Sequence, residues 1–218
     1  MARSVAQVLG FGSNYHGQLG VGDRIDRDLP WPLPFGPYSA TVVRASATWS
    51  FALTSRGALY AWGKDTGALA LVADDGEVPQ YDKAATQTWD VLTPHQVMSA
   101  GSDDVTLVAA GPTHTLLSTR RVLYGVGSNQ QGQLGLGDTK NRRAFTRVPL
   151  PTVAVSIAAG LQHSILTTVE GTVFVFGSNQ YGQLGLDSEE EGTASRAPHS
   201  SPRQIIGLRD HFVVQVAA

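Results

Sequence analysis

No cysteine occurs among the 218 residues. That single absence excludes a disulfide scaffold, a cysteine zinc site, a dithiol redox motif and a thiol nucleophile together. Charge is scarce as well, at 16% of residues against the roughly 25% usual in soluble proteins. With a formal net charge of −2 the chain is not a disordered polyelectrolyte. There is no Asn-x-Ser/Thr acceptor, and the opening MARSVAQVLGFG lacks the apolar run of a signal peptide. One uncharged stretch, Val148 to Val169, is long enough to suggest a membrane span. Pro149, Pro151, Gly160, Gln162 and His163 interrupt it, however, and it reads as two buried strands around a turn.

What is abundant is glycine, with 24 residues or about 11% of the chain against a usual ~7%. Many glycines and few charges suit short strands joined by tight turns rather than long amphipathic helices. The glycines recur in a pattern: LGFGSNYHGQLGVGD from Leu9, YGVGSNQQGQLGLGD from Tyr124 and VFGSNQYGQLGLD from Val175 align at once, with a degraded copy, YAWGKDTGALAL, from Tyr60. The glycines that end the strands are Gly12, Gly63, Gly127 and Gly177, spaced by 51, 64 and 50 residues. A second block precedes three of them: RASATWSFALTSRGALYAWG from Arg44, VAAGPTHTLLSTRRVLYGVG from Val108 and IAAGLQHSILTTVEGTVFVFG from Ile157. Alternation with period two in Phe51–Leu53, Leu117–Thr119 and Val173–Val175 marks strands, about four per unit. Units that cannot bury both faces alone must stack, and closing the array radially protects its edges.

The loop Gly-Ser-Asn-x-x-Gly-Gln-Leu-Gly has a structural reading. Asn14, Asn129 and Asn179, with Gly17, Gly132 and Gly182, suit a reversal that visits positive φ. Gln18, Gln133 and Gln183 are expected to satisfy loop backbone groups, and Leu19, Leu134 and Leu184 to anchor the loop between units.

These two blocks resemble the regulator of chromosome condensation repeat, a unit of about fifty residues whose family members form seven-bladed β-propellers. The likeness runs from Val8 to Ala218 and rests on three near-identical copies of GSNxxGQLG. It implies an all-β fold, a partial β-propeller of about four blades in one domain over 1–218. The repeats then run over approximately 1–41 (half a repeat), 42–104, 105–152 and 153–212, with a fifth opening at 213–218. The chain departs from the family in three places. Trp49 stands where a histidine is usual, the second loop has lost Gln-Leu-Gly, and Leu71 to Thr93 carries extra residues. Seven blades would need about 350 residues, which leaves open a fragment of a longer ring, an open array covered by a partner, or an unusual four-bladed ring.

Residue chemistry argues against catalysis. The Gly-x-Gly pairs recur in repeats with no helix pattern behind them, so they do not read as a dinucleotide site. His114 and His163 share a Gly-x-x-His setting but would need two further ligands to hold a metal, and no metal is expected. Asp23 and Asp138 suit an Asx turn. HExxH, GxSxG, GK[ST] and EF-hand patterns are absent, so neither catalytic residue nor cofactor is expected. The two halves differ in charge: residues 1–109 hold 7 basic and 11 acidic side chains, and residues 110–218 hold 9 and 7. Lys140, Arg142, Arg143 and Arg147 form a basic loop, and Asp187, Glu189, Glu190 and Glu191 an acidic one. Four basic residues make a poor nucleic-acid footprint, and no nucleic acid is expected.

The reading that follows is a non-catalytic protein-interaction scaffold in the cytoplasm or nucleus, without membrane or small-molecule cofactor. Trp49, His114 and His163 are the candidate partner-binding residues, with Arg142 and Arg143 as an electrostatic patch. Resemblance to the founding family member implies two alternatives: nucleotide exchange on a small GTPase, or docking to a chromatin protein.

Overall fold

The computed structural model describes residues 7–35, 39–46, 48–65, 89–98, 104–186 and 196–218. Most of the insertion at Leu71–Thr93 and the acidic loop Asp187–Glu191 lie outside those residues. The described chain forms fourteen strands and one 3-10 turn at Ile206–Leu208, and it falls into two compact units, Met1–Val105 and Thr106–Ala218.

In the first unit, β1 (Leu9–Gly12) and β2 (Arg27–Pro32) make a two-stranded sheet. Beside them β3 (Ala40–Ala45), β4 (Trp49–Thr54), β5 (Leu59–Asp65) and β6 (Trp89–Met98) form a four-stranded antiparallel meander. The second unit repeats that meander twice. One sheet is β7 (Val105–Ala110), β8 (His114–Thr119), β9 (Leu123–Gly127) and β10 (Arg142–Val148). The other is β11 (Ala154–Ala159), β12 (His163–Thr168), β13 (Val173–Gly177) and β14 (His199–Gln204). The uncharged stretch Val148–Val169 is the hairpin of β11 and β12. Among the described residues no helix is long and apolar enough to cross a membrane.

The second strand of each sheet explains the period-two pattern. All six residues of β4 and of β8 are buried, so alternation there does not mean inside and outside. In β4 it separates Trp49, Phe51 and Leu53 from Ser50, Ala52 and Thr54, whereas in β8 and β12 each face carries both kinds of side chain, Ser164 and Leu166 sharing one. Leu116 and Leu166 face a core with Leu123, Val148, Ala154 and Phe176. Each such side chain contributes roughly 1.5–3 kcal/mol on burial. The hydroxyls need acceptors in the interior, and they find them in carbonyls: Ser50 Oγ donates to Gln18 O at 3.0 Å and Ser164 Oγ to Gln133 O at 2.7 Å. Strand two is thereby stitched to the Gly-Gln-Leu-Gly loop of the sheet before it.

The last strand carries a bulge in every sheet, always at the same place. Gly12 pairs with Arg27, Gly63 with Val91, Gly127 with Arg142 and Gly177 with His199. Two residues further back on strand three, the partner has advanced by four, to Trp31, His95, Thr146 and Arg203. Each glycine at the start of the bulge lies at φ between +102° and +107°, a conformation other residues rarely adopt. Bulged outer strands also resist pairing with other sheets.

Residues 213–218, read from sequence as an opening strand, pair with no strand among the described residues. They are held by side chains and turns instead: Thr167 Oγ1 donates to Val213 O at 2.7 Å, and Val216 N donates to Ser156 Oγ at 3.2 Å.

Candidate functional site

The Gly-Ser-Asn-x-x-Gly-Gln-Leu-Gly loops close on themselves. Gly17 N donates to Asn14 O, Gly132 N to Asn129 O and Gly182 N to Asn179 O, at 2.8–3.0 Å. The glycines sit at φ +72°, +77° and +78°. The asparagines contribute through both ends of the amide rather than through backbone tolerance. Asn14 Oδ1 accepts from Leu19 N and its Nδ2 donates to Asp23 O, at 2.9 and 2.8 Å. Asn129 does the same with Leu134 and Asp138, both at 2.9 Å, and Asn179 Oδ1 accepts from Leu184 N at 3.2 Å. Gln18, Gln133 and Gln183 each accept the backbone N–H two residues earlier, from His16, Gln131 and Tyr181, at 2.9 Å. Leu19, Leu134 and Leu184 are buried.

An aspartate closes the far end of two of the loops. Asp23 Oδ1 accepts from Ile25 N and Asp138 Oδ1 from Lys140 N, both at 2.9 Å, each an Asx turn. Arg27 and Arg142 complete the device, pairing with Asp23 and Asp138 at 2.5 and 2.7 Å. The Ile25 N–H and then Arg27 hold the Asp23 carboxyl below the ordinary carboxylate range, while Arg142 and then the Lys140 N–H do so for Asp138. Arg142 also donates to Lys140 O at 2.6 Å. Arg142 is therefore the counterpart of Arg27 and belongs to the loop's frame, whereas Arg143 is exposed. Replacing Arg142 with alanine should accelerate amide exchange at Lys140, whose N–H would lose its oriented acceptor. Arg143→Ala should leave that exchange rate unchanged.

The candidate partner-binding residues Trp49, His114 and His163 do occupy one repeat position, pairing with Gly63, Gly127 and Gly177 in register. Trp49 and His114 are fully buried, however, so neither is offered to a partner. The reason is the sheet stacking. His114 Nε2 lies 2.9 Å from Ser164 Oγ, fifty residues on, and that hydroxyl spends its own proton on Gln133 O. The hydroxyl therefore accepts, which assigns the proton of the imidazole to Nε2 and leaves Nδ1 bare and buried. The expected tie within one sheet is instead a bridge of strand two, the next strand two and a loop. Burial, then the nearby His163, pushes His114 down from 6.5 to about 4. His163 is only partly buried, and burial lowers it too.

What the loops do expose is the pair of residues between Asn and Gly. Tyr15 and Tyr181 are 69% and 79% exposed, and Gln130 and Gln180 are exposed beside motif residues that are mostly buried. These positions vary between copies (Tyr-His, Gln-Gln, Gln-Tyr) while their surroundings repeat. Searching for what recurs therefore passes over them. The usable signal is the opposite one: within a repeat, the residues that differ are those the frame does not need.

The repeat profile described as "Regulator of chromosome condensation (RCC1) repeat" matches residues 6–54, 56–118, 122–167 and 170–218. The chain belongs to the RCC1 repeat family. The family's sequence unit is staggered from the sheets: residues 6–54 span β1 to β4 and residues 122–167 span β9 to β12. The first three RCC1 repeats thus start in strands three and four of one blade and end in strands one and two of the next. Among curated proteins, the ultraviolet-B receptor UVR8 of Arabidopsis thaliana is 30% identical over 97% of this chain and 44% of its own length. The X-linked retinitis pigmentosa GTPase regulator of Mus musculus is 36% identical over 39% of the chain and 9% of its own. Yeast RCC1 (Prp20), solved bound to Kap60, superposes with a TM-score of 0.75 at 20% identity, over 97% of this chain and 48% of that one. Human WBSCR16 does so with a TM-score of 0.72 at 21% identity, over 91% and 48%. The fold is a β-propeller. Its described residues form three four-stranded blades and one two-stranded half, and the chain spans less than half the length of these relatives.

Proposed function

We propose that the chain is a non-catalytic protein-interaction module of the cytoplasm or nucleus whose binding residues are the exposed, non-repeating pairs of the RCC1 loops. The observation that carries this reading is the contrast inside each loop. Asn, Gln and Leu are tied inward by hydrogen bonds and burial, and the neighbouring tyrosines stand in solvent on that rigid frame. Exposed tyrosine on a preorganised loop binds with little loss of conformational freedom, and aromatic residues are enriched among interface hot spots. Function grafted on loops of a constant scaffold is the common arrangement for such folds. Yeast RCC1, of the same fold, was solved in complex with Kap60, and the Saccharomyces cerevisiae structure came with its binding to Gsp1p and histones. A small GTPase or a chromatin protein is accordingly the partner class to test first.

The test compares wild type with Tyr15→Ala/Tyr181→Ala. The double variant should lose at least tenfold in affinity for the captured partner while melting at the wild-type temperature, since both side chains are exposed. Acceleration of GDP release from a small GTPase by catalytic amounts of the chain would overturn the non-catalytic reading.

A further inference from the structure

The turn from the second strand to the third is built alike in two of the three four-stranded sheets. Ser55-Arg56-Gly57-Ala58 and Val169-Glu170-Gly171-Thr172 both reverse through a glycine at positive φ, +76° and +77°. Gly57 N donates to Thr54 O at 3.0 Å and Gly171 N to Thr168 O at 2.9 Å. The sheet of β7–β10 departs from this pattern. Its turn is one residue shorter, Arg120-Arg121-Val122, and contains no glycine. Thr119 closes it instead: its N–H donates to Val122 O at 2.9 Å, and its Oγ1 accepts from Arg121 N at 3.3 Å and Val122 N at 3.0 Å. The turn is thus held by Thr119 and the backbone, and the fold places no demand on the two arginine side chains.

Strand register brings a third arginine to the same end of the sheet. Leu123, next after the turn, pairs with Val148, and Arg147 pairs with Tyr124. Lys140 and Arg143, near Arg147 in sequence, lie instead at the opposite end, beside Arg142 and its partner Gly127. Arg120, Arg121 and Arg147 are exposed, and among the described residues none of the three side chains makes an ion pair or a hydrogen bond. The other sheets do not repeat the trio. Their turns carry Arg56 or Glu170, and the place of Arg147 is taken by Gln96 opposite Tyr60 and by Gln204 opposite Phe174. Charge is concentrated accordingly: residues 105–150 hold 6 basic side chains and 1 acidic one, in a chain of net charge −2.

We infer that Arg120, Arg121 and Arg147 form a docking surface for an acidic segment of a protein partner, one rich in Asp and Glu. Three guanidiniums held at one end of a sheet without a counter-charge repel one another. A run of carboxylates removes that repulsion and accepts paired hydrogen bonds from each planar fork. The trio contains no lysine, which suits recognition of planar carboxylates. Three charges with no exposed aromatic side chain among them offer a nucleic acid too little neutralisation and no stacking surface. The surface is separate from Tyr15 and Tyr181, whose loops join the third and fourth strands at the other end of their sheets.

Fluorescence anisotropy of a labelled peptide of alternating Asp and Glu, titrated with the full chain, tests this. Wild type should bind the peptide, and more weakly as salt rises from about 50 to about 200 mM. Arg121→Ala/Arg147→Ala should bind it roughly tenfold more weakly, with an unchanged circular dichroism spectrum and melting temperature because both side chains are exposed. Lys140→Ala/Arg143→Ala removes the same charge from the other end of the sheet and should stay within about twofold of wild type. No binding of the peptide at the lower salt, equal losses in the two variants, or tighter binding of a single-stranded DNA oligonucleotide of the same charge would each overturn the inference. Partner capture through Tyr15 and Tyr181 is a separate readout, so failure here leaves that reading standing.

Discussion

Gly177→Ala is expected to destabilise the second unit by roughly 3–5 kcal/mol, combining backbone strain with overpacking. Gly177 sits at φ +106°, and a Cβ there would stand 2.5 Å from Gln162 O and 2.7 Å from the Cα of His163. Both are backbone atoms of the adjacent strand and its turn, so nothing flexible can yield. Gly12 is the control that isolates the two effects. It has nearly the same φ, +102°, but a Cβ would meet nothing within 4 Å, and among the described residues β1 pairs with β2 alone. Gly12→Ala should therefore show only the conformational term, about 1–2 kcal/mol. Denaturant melts of both variants decide the point. Comparable losses would mean that strain alone governs these positions and that the contact with strand two matters little.

Acid should weaken the second unit well before its carboxylates titrate. His114 is buried and neutral, with its pKa pushed down to about 4, while in the unfolded chain it titrates near 6.5. Above pH 6.5 both states are neutral and the site imposes no penalty. As pH falls through 6.5 the unfolded state takes up a proton that the folded state refuses until about pH 4, so stability declines across that window. The full effect amounts to about 3 kcal/mol, and His163, also lowered by burial, adds to it in the same direction. Thermal melts of wild type and His114→Gln at pH 7 and pH 4.5 provide the measurement. The glutamine amide can still donate to Ser164 but does not titrate, so the variant should lose most of the pH dependence. An equal slope in the two proteins would assign the acid sensitivity elsewhere.

How far the loops could be read from sequence differs residue by residue. Gly17, Gly132 and Gly182 take positive φ as their type suggests. The same tolerance suits Asn14 and Asn129, yet their contribution is a double hydrogen bond across nine residues to Asp23 and Asp138, a partner no local pattern names. Arg142 looked like one of four similar charges. Only its pairing with Asp138, in parallel with Arg27 and Asp23, separates it from Arg143.

By itself the sequence determined that this is a tandem array of short antiparallel strands, and where each strand-three glycine falls, because local backbone preferences and period-two patterning depend on neighbouring residues only. The tertiary structure decided which recurring side chains reach solvent. Burial of Trp49 and His114 and exposure of Tyr15 and Tyr181 follow from which blade stacks on which. A repeat places like residues in unlike surroundings, and that difference exists only once the blades are packed.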